Sequence, residues 1–297
     1  MYSLKLDAFD GQKISLNIWD DVKEKVGVVC ISHGMAEYAE RYDDFARFLN
    51  CNGFVVLADD HRGHRNNTFG VKGRVAGDSF AGTVEDVKSV VDYAKNIYSL
   101  PVILLGHSYG SFIAQRFLEK YSSLVTKCIL SGTAYIKSPL MGVGCVIATV
   151  QNILFGGTKT GKLIDKLSFG EYNKPFASEG HKFSWLSRDP AVVEKYEKDE
   201  YCGYPLSIGF YRSFFAGAMR LYGVGTRNIR KEIPILVTCG SEDPVSEKSK
   251  QAVKLYDYYK KAGLNVSIKV YEGARHEILN EVNRAEVYND FLAFIKG

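Results

Sequence analysis

The segment Gly106-His107-Ser108-Tyr109-Gly110 places a serine between two glycines at the junction of two different sequence patterns. The residues before it, 102–105, form a continuous apolar run that is typical of a buried strand. Residues 109–121 have apolar side chains at three- and four-residue spacing, which predicts a helix. A serine at such a strand-turn-helix junction sits on a sharp turn, and glycines fit the crowded positions beside it because they carry no Cβ. The segment therefore predicts that Ser108 is a nucleophile.

Buried strands alternate with amphipathic helices on both sides of this segment. Strands are predicted at residues 13–19, 26–31, 54–58, 102–105, 125–130, 233–240 and 266–271. Helices are predicted at residues 38–50, 84–98, 109–121, 246–261 and 284–295. Continuous apolar runs fit strands that are covered on both faces, and their alternation with helices predicts βα units and a mostly parallel sheet.

The alternation stops near Tyr135 and resumes near Ile233. The residues in between are rich in glycine, lysine and aromatic side chains, and only 190–198 and 208–221 have a helical pattern. We therefore expect a core of residues 1–134 and 227–297, interrupted by a cap at residues 135–226.

The composition is that of an ordinary globular protein. Of the 297 residues, 46% are hydrophobic and 24% charged, which excludes disorder and low-complexity arrays. The net charge of +4 comes from interspersed basic and acidic residues without a basic stripe, so nucleic-acid binding is not expected. The six cysteines are widely spaced, as in reduced cytosolic proteins, and the first residues do not resemble a signal peptide. These features predict a cytoplasmic protein.

One stretch of the predicted cap, residues 138–158, contains no charged side chain over 21 residues. It is interrupted by a proline, four glycines, a glutamine and an asparagine, so a membrane-spanning helix is not expected. We expect instead a lid that binds an acyl chain or makes transient contact with a lipid surface.

A serine nucleophile needs a base and an acid that orients the base. Of the six histidines, His276 alone follows the last predicted strand, and Asp243 follows the strand before it. The order serine, acid, histidine, with each residue in a loop after a strand, fits Ser108, Asp243 and His276. Glu242 is the alternative for the acid.

The negative oxygen of a tetrahedral intermediate needs two preorganised donors. The backbone amide of Tyr109, directly after the nucleophile, is the first candidate. The second candidate is the amide of Met35, in the segment His33-Gly34-Met35-Ala36 after an earlier strand.

Several segments resemble a known family. The stretch 32–42 (SHGMAEYAERY), the loop 59–64 (DDHRGH), the serine turn, and the surroundings of Asp243 and His276 resemble the monoacylglycerol lipase and lysophospholipase branch of the α/β-hydrolases, often labelled serine aminopeptidase-like. The resemblance implies an α/β-hydrolase fold, with a mostly parallel eight-stranded sheet flanked by helices and a mainly helical cap. It also implies hydrolysis of a monoacyl ester, a small-molecule substrate. No cofactor or metal is expected, because the sequence has no complete H-E-x-x-H motif, dinucleotide fingerprint or P-loop lysine motif. Ala36 stands where many relatives have glycine, which affects the expected substrate range.

Other interpretations remain at this point. An aminopeptidase or amidase would need acidic residues to hold a free amine, and the cap offers several, at Glu194, Glu197, Asp199 and Glu200. A ligand-binding protein without catalytic activity is a further alternative. Asp59, Asp60, His61 and His64 could suggest a metal site, although a hydrogen-bonded loop is favoured over it. Glu37 and Arg41 could form a surface pair or support the loop that carries Met35.

Overall fold

A mostly parallel sheet forms the centre of the computed structural model, which describes residues 1–68, 71–75 and 77–297. Its strands are β1 (Tyr2–Asp7), β2 (Lys13–Trp19), β3 (Gly27–Ser32), β4 (Phe54–Asp59), β5 (Val102–His107), β6 (Lys127–Ser131), β7 (Ile235–Gly240) and β8 (Val266–Tyr271). Within the described residues the order across the sheet is β1-β2-β4-β3-β5-β6-β7-β8. The β1–β2 and β2–β4 pairs are antiparallel, and all other neighbours are parallel. The predicted sheet is confirmed.

Strand β1 is absent from the strands that the apolar pattern predicts. It lies at the edge of the sheet, and its residues are exposed or half-buried throughout. The central strands β3, β4 and β5 are instead buried at every position, which is why their sequences are continuous apolar runs.

Helices cover both faces of the sheet. One face carries α1 (Asp43–Cys51) and α9 (Arg284–Lys296), and the other carries α2 (Ser79–Tyr98), α3 (Tyr109–Tyr121) and α8 (Lys250–Lys261). On the first face Phe45 and Phe291 are packed against Val29 and Val56 of the sheet. Both faces are therefore filled with apolar side chains, and the polar loops lie at the ends of the strands.

Two helix starts differ from the predictions for local reasons. Helix α2 begins at Ser79 rather than at Val84, because the side chain of Asp78 accepts a hydrogen bond from the Ala81 amide at 3.2 Å and caps the helix. Helix α8 begins at Lys250 rather than at Ser246. The three residues before it have φ angles of 51°, 55° and 68°, which form a turn and not a helix.

A helical segment separates β6 from β7. It contains α4 (Pro139–Phe155), α5 (Lys162–Phe169), α6 (Pro190–Lys198) and α7 (Ile208–Met219). The sequence predicts α6 and α7, whereas α4 and α5 have no pattern that stands out. Helix α4 packs on α7 at Gly144, where a Cβ would meet the ring of Phe215 at 2.7 Å. Helix α7 in turn packs on α2.

Helix α4 occupies most of the uncharged stretch and leaves much of its apolar surface exposed. The side chains on that surface include Leu140, Val143, Val146, Ile153, Leu154 and Phe155. Among the described residues, no helix combines the length and the hydropathy that crossing a bilayer requires.

Candidate active site

Ser108 lies on a strained turn between β5 and α3. Its backbone angles are φ 52° and ψ −118°, and its side chain is half-buried. A Cβ on Gly106 would overlap the carbonyl oxygen of Gly110, and a Cβ on Gly110 would overlap that of Ser32. Glycine is thus required on both sides of the serine, because the turn packs its backbone directly against β3.

Asp243 and His276 meet at the same edge of the sheet. Asp243 follows β7 and His276 follows β8, and both side chains are buried. The Nδ1 atom of His276 lies 3.0 Å from Oδ1 of Asp243, which also accepts a hydrogen bond from the Val245 amide at 2.8 Å. The carboxylate of Glu242 instead faces Lys248 at 2.8 Å and is partly exposed. The structure therefore brings Asp243, and not its neighbour, to the histidine.

The surroundings of His276 favour its charged form. Burial disfavours that form, but the negative charge of Asp243 and the hydrogen bond to it outweigh burial and raise the pKa of His276. The imidazole rings of His107 and His276 lie with centroids 4.9 Å apart, and the Trp185 ring lies 5.1 Å from His276 on the cap side. The Trp185 carbonyl accepts the His276 amide at 3.3 Å. The imidazole of His276 is thus held by Asp243 and His107 on one side and by Trp185, from the segment between β6 and β7, on the other.

Ser108 and His276 are not joined by a hydrogen bond among the described residues. Asp243 binds the Nδ1 atom of His276, and the Nε2 atom on the opposite side of the ring has no hydrogen-bond partner there. Hydrogen bonds in active sites are often long without substrate and tighten when it binds. The arrangement thus leaves Nε2 open to accept a proton.

The loop after β3 passes beside Ser108. A Cβ on Gly34 would lie 3.3 Å from the Cβ of Ser108. The Gly34 amide donates to the carboxylate of Glu37 at 2.5 Å, and the Ala36 amide donates to Nε2 of His64 at 3.1 Å. Among the described residues the amides of Met35 and Tyr109 have no acceptor. The Tyr109 amide thus directly follows the serine in the chain, the Met35 amide directly follows Gly34 in the loop beside it, and both hydrogens are unpaired.

The segment between β6 and β7 holds this loop in place. Ala36 has a φ of 53°, a region that residues other than glycine rarely adopt. Its carbonyl accepts hydrogen bonds from the hydroxyl of Tyr196 at 3.1 Å and from the amide of Gly203 at 3.0 Å. These two partners lie in the segment between β6 and β7, and neither is evident from the sequence. They stabilise the backbone turn that leaves the Met35 amide unpaired.

The cluster of histidines behind this loop is a hydrogen-bonded structure. His61 pairs through Nδ1 with Asp59 and through Nε2 with the hydroxyl of Ser32, each at 3.0 Å. Both ring nitrogens of His33 and of His64 are also engaged. Burial lowers the pKa of His61 to about 3, so its ring is neutral. No group of three potential ligands in the described part of the chain could hold a metal ion.

Comparison with known proteins agrees with this geometry. The profile of the family described as serine aminopeptidase, S33, matches residues 23–283. The chain belongs to this S33 family. It is 31% identical to the monoacylglycerol lipase of Mycolicibacterium smegmatis over 96% of this chain and 93% of the relative. It is 28% identical to human monoglyceride lipase over 92% of this chain and 82% of the relative.

A solved structure extends the S33 comparison to the whole fold. A thermostable carboxyl esterase from Bacillus coagulans, solved with glycerol, superposes with a TM-score of 0.92 at 26% identity. The match covers 100% of this chain and 98% of the esterase. The predicted α/β-hydrolase fold and the predicted enzyme class, an ester hydrolase, are confirmed.

Proposed function

We propose that the protein hydrolyses monoacyl esters, either monoacylglycerols or lysophospholipids, through a triad of Ser108, His276 and Asp243. The observation that carries the proposal is the buried pair of Asp243 and His276, at the sheet edge where Ser108 sits on its strained turn. The names of the relatives from M. smegmatis and human support this substrate class. The substrate is thus a small acyl ester.

In the proposed mechanism, Ser108 Oγ attacks the ester carbonyl carbon while Nε2 of His276 accepts the hydroxyl proton. Asp243 stabilises the imidazolium that forms, and the amides of Met35 and Tyr109 hold the carbonyl oxygen as it becomes negative. The bond to the leaving alcohol breaks, and the alcohol takes the proton from His276. Water then attacks the acyl-enzyme with His276 as base, which releases the fatty acid and restores the serine.

A cluster of apolar side chains next to Ser108 supports an acyl substrate. The ring of Tyr109, next to the serine, lies 5.1 Å from the ring of Phe210 and 6.0 Å from that of Phe214. Phe112 lies 5.9 Å from Phe214, and Met35 packs against the same core cluster. Apolar surroundings with few polar groups are typical of sites that bind alkyl chains. We propose that the acyl chain lies against the half-buried members of this cluster, Phe214 and Met35.

The proposed mechanism uses residues from two parts of the chain, a hydrolase core and a cap. We propose that residues 1–134 and 227–297 form the hydrolase core, which carries the triad and the oxyanion donors. Residues 135–226 form the cap, which contributes Tyr196, Trp185 and the rings of α7. We also place the protein in the cytoplasm, because all six cysteines are free thiols, four of them buried.

The aminopeptidase alternative loses its amine-binding cluster. Each of the four cap carboxylates is engaged by a neighbour: Glu194 by Lys198, Glu197 by His181, Asp199 by the hydroxyl of Tyr38, and Glu200 by Lys72. A free amine would have to displace one of these partners. Ester substrates therefore fit the site better than peptides.

The test compares esters with amides on the same enzyme. We expect release of fatty acid from 1-monoacylglycerol and of nitrophenol from p-nitrophenyl acyl esters. We expect no release of nitroaniline from aminoacyl p-nitroanilides above background. Turnover of the anilides with esters left intact would replace the proposal by the aminopeptidase alternative. The absence of turnover on both esters and anilides would favour a ligand-binding protein without catalytic activity.

We further propose that α4 and α5 dock on a lipid surface. The outer residues of α4 are uncharged and apolar; Ile153, for example, is 76% exposed. Lys159 lies in the loop after α4, and α5 carries Lys162 and Lys166; these three lysines complement anionic headgroups. Burial of the outer apolar side chains in the interface would bring the cap to the substrate.

The double variant Ile153→Glu/Leu154→Glu tests this docking. Because both aliphatic side chains would be buried in the lipid interface, replacing them with glutamate is expected to weaken binding to phosphatidylcholine/phosphatidylglycerol vesicles about 100-fold. Hydrolysis of monoacylglycerol in those vesicles should fall with binding, whereas turnover of soluble p-nitrophenyl butyrate should not change. Ile97→Glu is the matched control, because Ile97 is 58% exposed on α2. Equal vesicle binding by the double variant and the parent would contradict the proposal.

A further inference from the structure

A buried arginine joins two carboxylates beside the active site. Nη1 of Arg41 lies 2.6 Å from Glu37 and 2.7 Å from Glu277, and Nη2 lies 2.6 Å from the second oxygen of Glu277. The side chains of Arg41, Glu37 and Glu277 are 11%, 4% and 5% exposed. We call these three residues the carboxylate–arginine bridge.

Each end of the bridge holds a different part of the catalytic machinery. Glu37 accepts the amide of Gly34 at 2.5 Å and the hydroxyl of Tyr42 at 2.9 Å, directly before the unpaired amide of Met35. Glu277 is the residue after His276, and its own amide donates to the Leu186 carbonyl at 2.7 Å. The bridge therefore connects the loop after β3 with the loop after β8.

Stability alone does not account for such an arrangement. Removing charges from water costs several kcal/mol per ion, and apolar replacement of a buried ion pair is often neutral or stabilising. Burial also raises the pKa of Glu37, whereas the charge of Arg41 overcomes burial at Glu277 and lowers its pKa to about 2. What the bridge does supply is geometry, because a guanidinium holds carboxylates in fixed directions.

We propose that the Glu37–Arg41–Glu277 bridge positions the Met35 amide relative to His276, so that oxyanion donor and base act together on the transition state. This inference rests on the proposed function of the same site. The three residues do not touch substrate; they act through Gly34 and His276. Tyr196 supports them from the cap, since its ring lies 4.7 Å from the Arg41 guanidinium carbon and its hydroxyl holds Ala36.

The test is a series at Arg41 with a soluble p-nitrophenyl ester. Arg41→Met is expected to lower kcat about 100-fold with KM changed less than threefold, because misplacement by about 1 Å has such an effect on the chemical step. Arg41→Lys keeps the charge but not the fork and should recover only part of the rate. The matched control is Arg62→Met, which also removes a buried arginine between two carboxylates, Asp10 and Asp86. It should lower the melting temperature and leave kcat within threefold.

A pH profile distinguishes positioning from loose packing. The charged and titratable groups that face His276 are Asp243, Glu277, Glu37, His107 and, across the bridge, Arg41. The negative charge of Glu277 favours the imidazolium, so Glu277→Gln should lower the pKa of His276. The acid limb of kcat/KM, which rises as His276 loses its proton, should then move to lower pH.

Two results would overturn the inference: a kcat for Arg41→Met within threefold of the parent, or an equal loss of kcat in Arg62→Met. An acid limb that stays in place in Glu277→Gln would contradict the charge coupling. If Arg41→Met does not fold, Tyr42→Phe is the milder test, and we expect a three- to tenfold loss of kcat; no loss would count against the bridge. A parent without ester turnover would refute the proposed function instead.

Discussion

Changing Ser108 to alanine is expected to lower kcat for ester hydrolysis by about 10⁵-fold or more, since removal of a nucleophile from a triad has an effect of this size. The residual rate would come from the oxyanion donors and from substrate binding. The fold should persist, because the half-buried Ser108 hydroxyl has no hydrogen-bond partner in the described part of the chain. Steady-state kinetics and thermal melting measure both effects.

A nearby serine provides the control for this variant. Ser99→Ala changes an exposed residue after α2, at the opposite end of β5 from Ser108, and should keep both the kcat and the labelling of the parent by a fluorophosphonate probe. Ser108→Ala should not label. Activity within tenfold of the parent in Ser108→Ala would mean that another group is the nucleophile.

The second large effect is expected at Asp243. Asp243→Asn keeps the size of the side chain but removes the charge that stabilises imidazolium and the acceptor that fixes the ring tautomer, so kcat should fall by about 10⁴-fold. The pKa of His276 should fall as well, because the Asp243 charge is what raises it. The acid limb of the remaining activity would then move to lower pH.

Glu242→Gln is the matched control for this change, because it removes a carboxylate from the adjacent residue. Glu242 faces Lys248 and is partly exposed, so this variant should keep kcat within twofold. A large loss in Glu242→Gln together with a small one in Asp243→Asn would move the acid role to Glu242.

The parts of the molecule that local sequence determines were accessible without a structure. The run into β5, the glycines around Ser108 and the apolar spacing of α3 are all neighbours in the chain, and the turn follows from their steric needs. The positions of Asp243 and His276 follow from the rule that parallel strands end at one edge. Helix α8 shows the limit, since three residues with positive φ shorten a periodic segment that looks fully helical.

The parts that depend on distant contacts were not accessible. Arg41 and Glu277 are 236 residues apart, and the pairing of Glu37 with Arg41 is compatible with a surface pair until Glu277 is placed beside it. The hydroxyl of Tyr196 reaches Ala36 across 160 residues. No spacing or composition reports such contacts, because they arise only when the cap packs on the core.

The most direct test of the account is to find the acyl-enzyme. The enzyme is mixed with excess p-nitrophenyl ester, the reaction is stopped with acid in the first turnovers, and the digested peptides are analysed by mass spectrometry. We predict one acyl group per chain on the peptide that contains Ser108, which disappears as substrate is consumed. Continued ester turnover with no acyl group on Ser108, or with the acyl group on another residue, would contradict the mechanism.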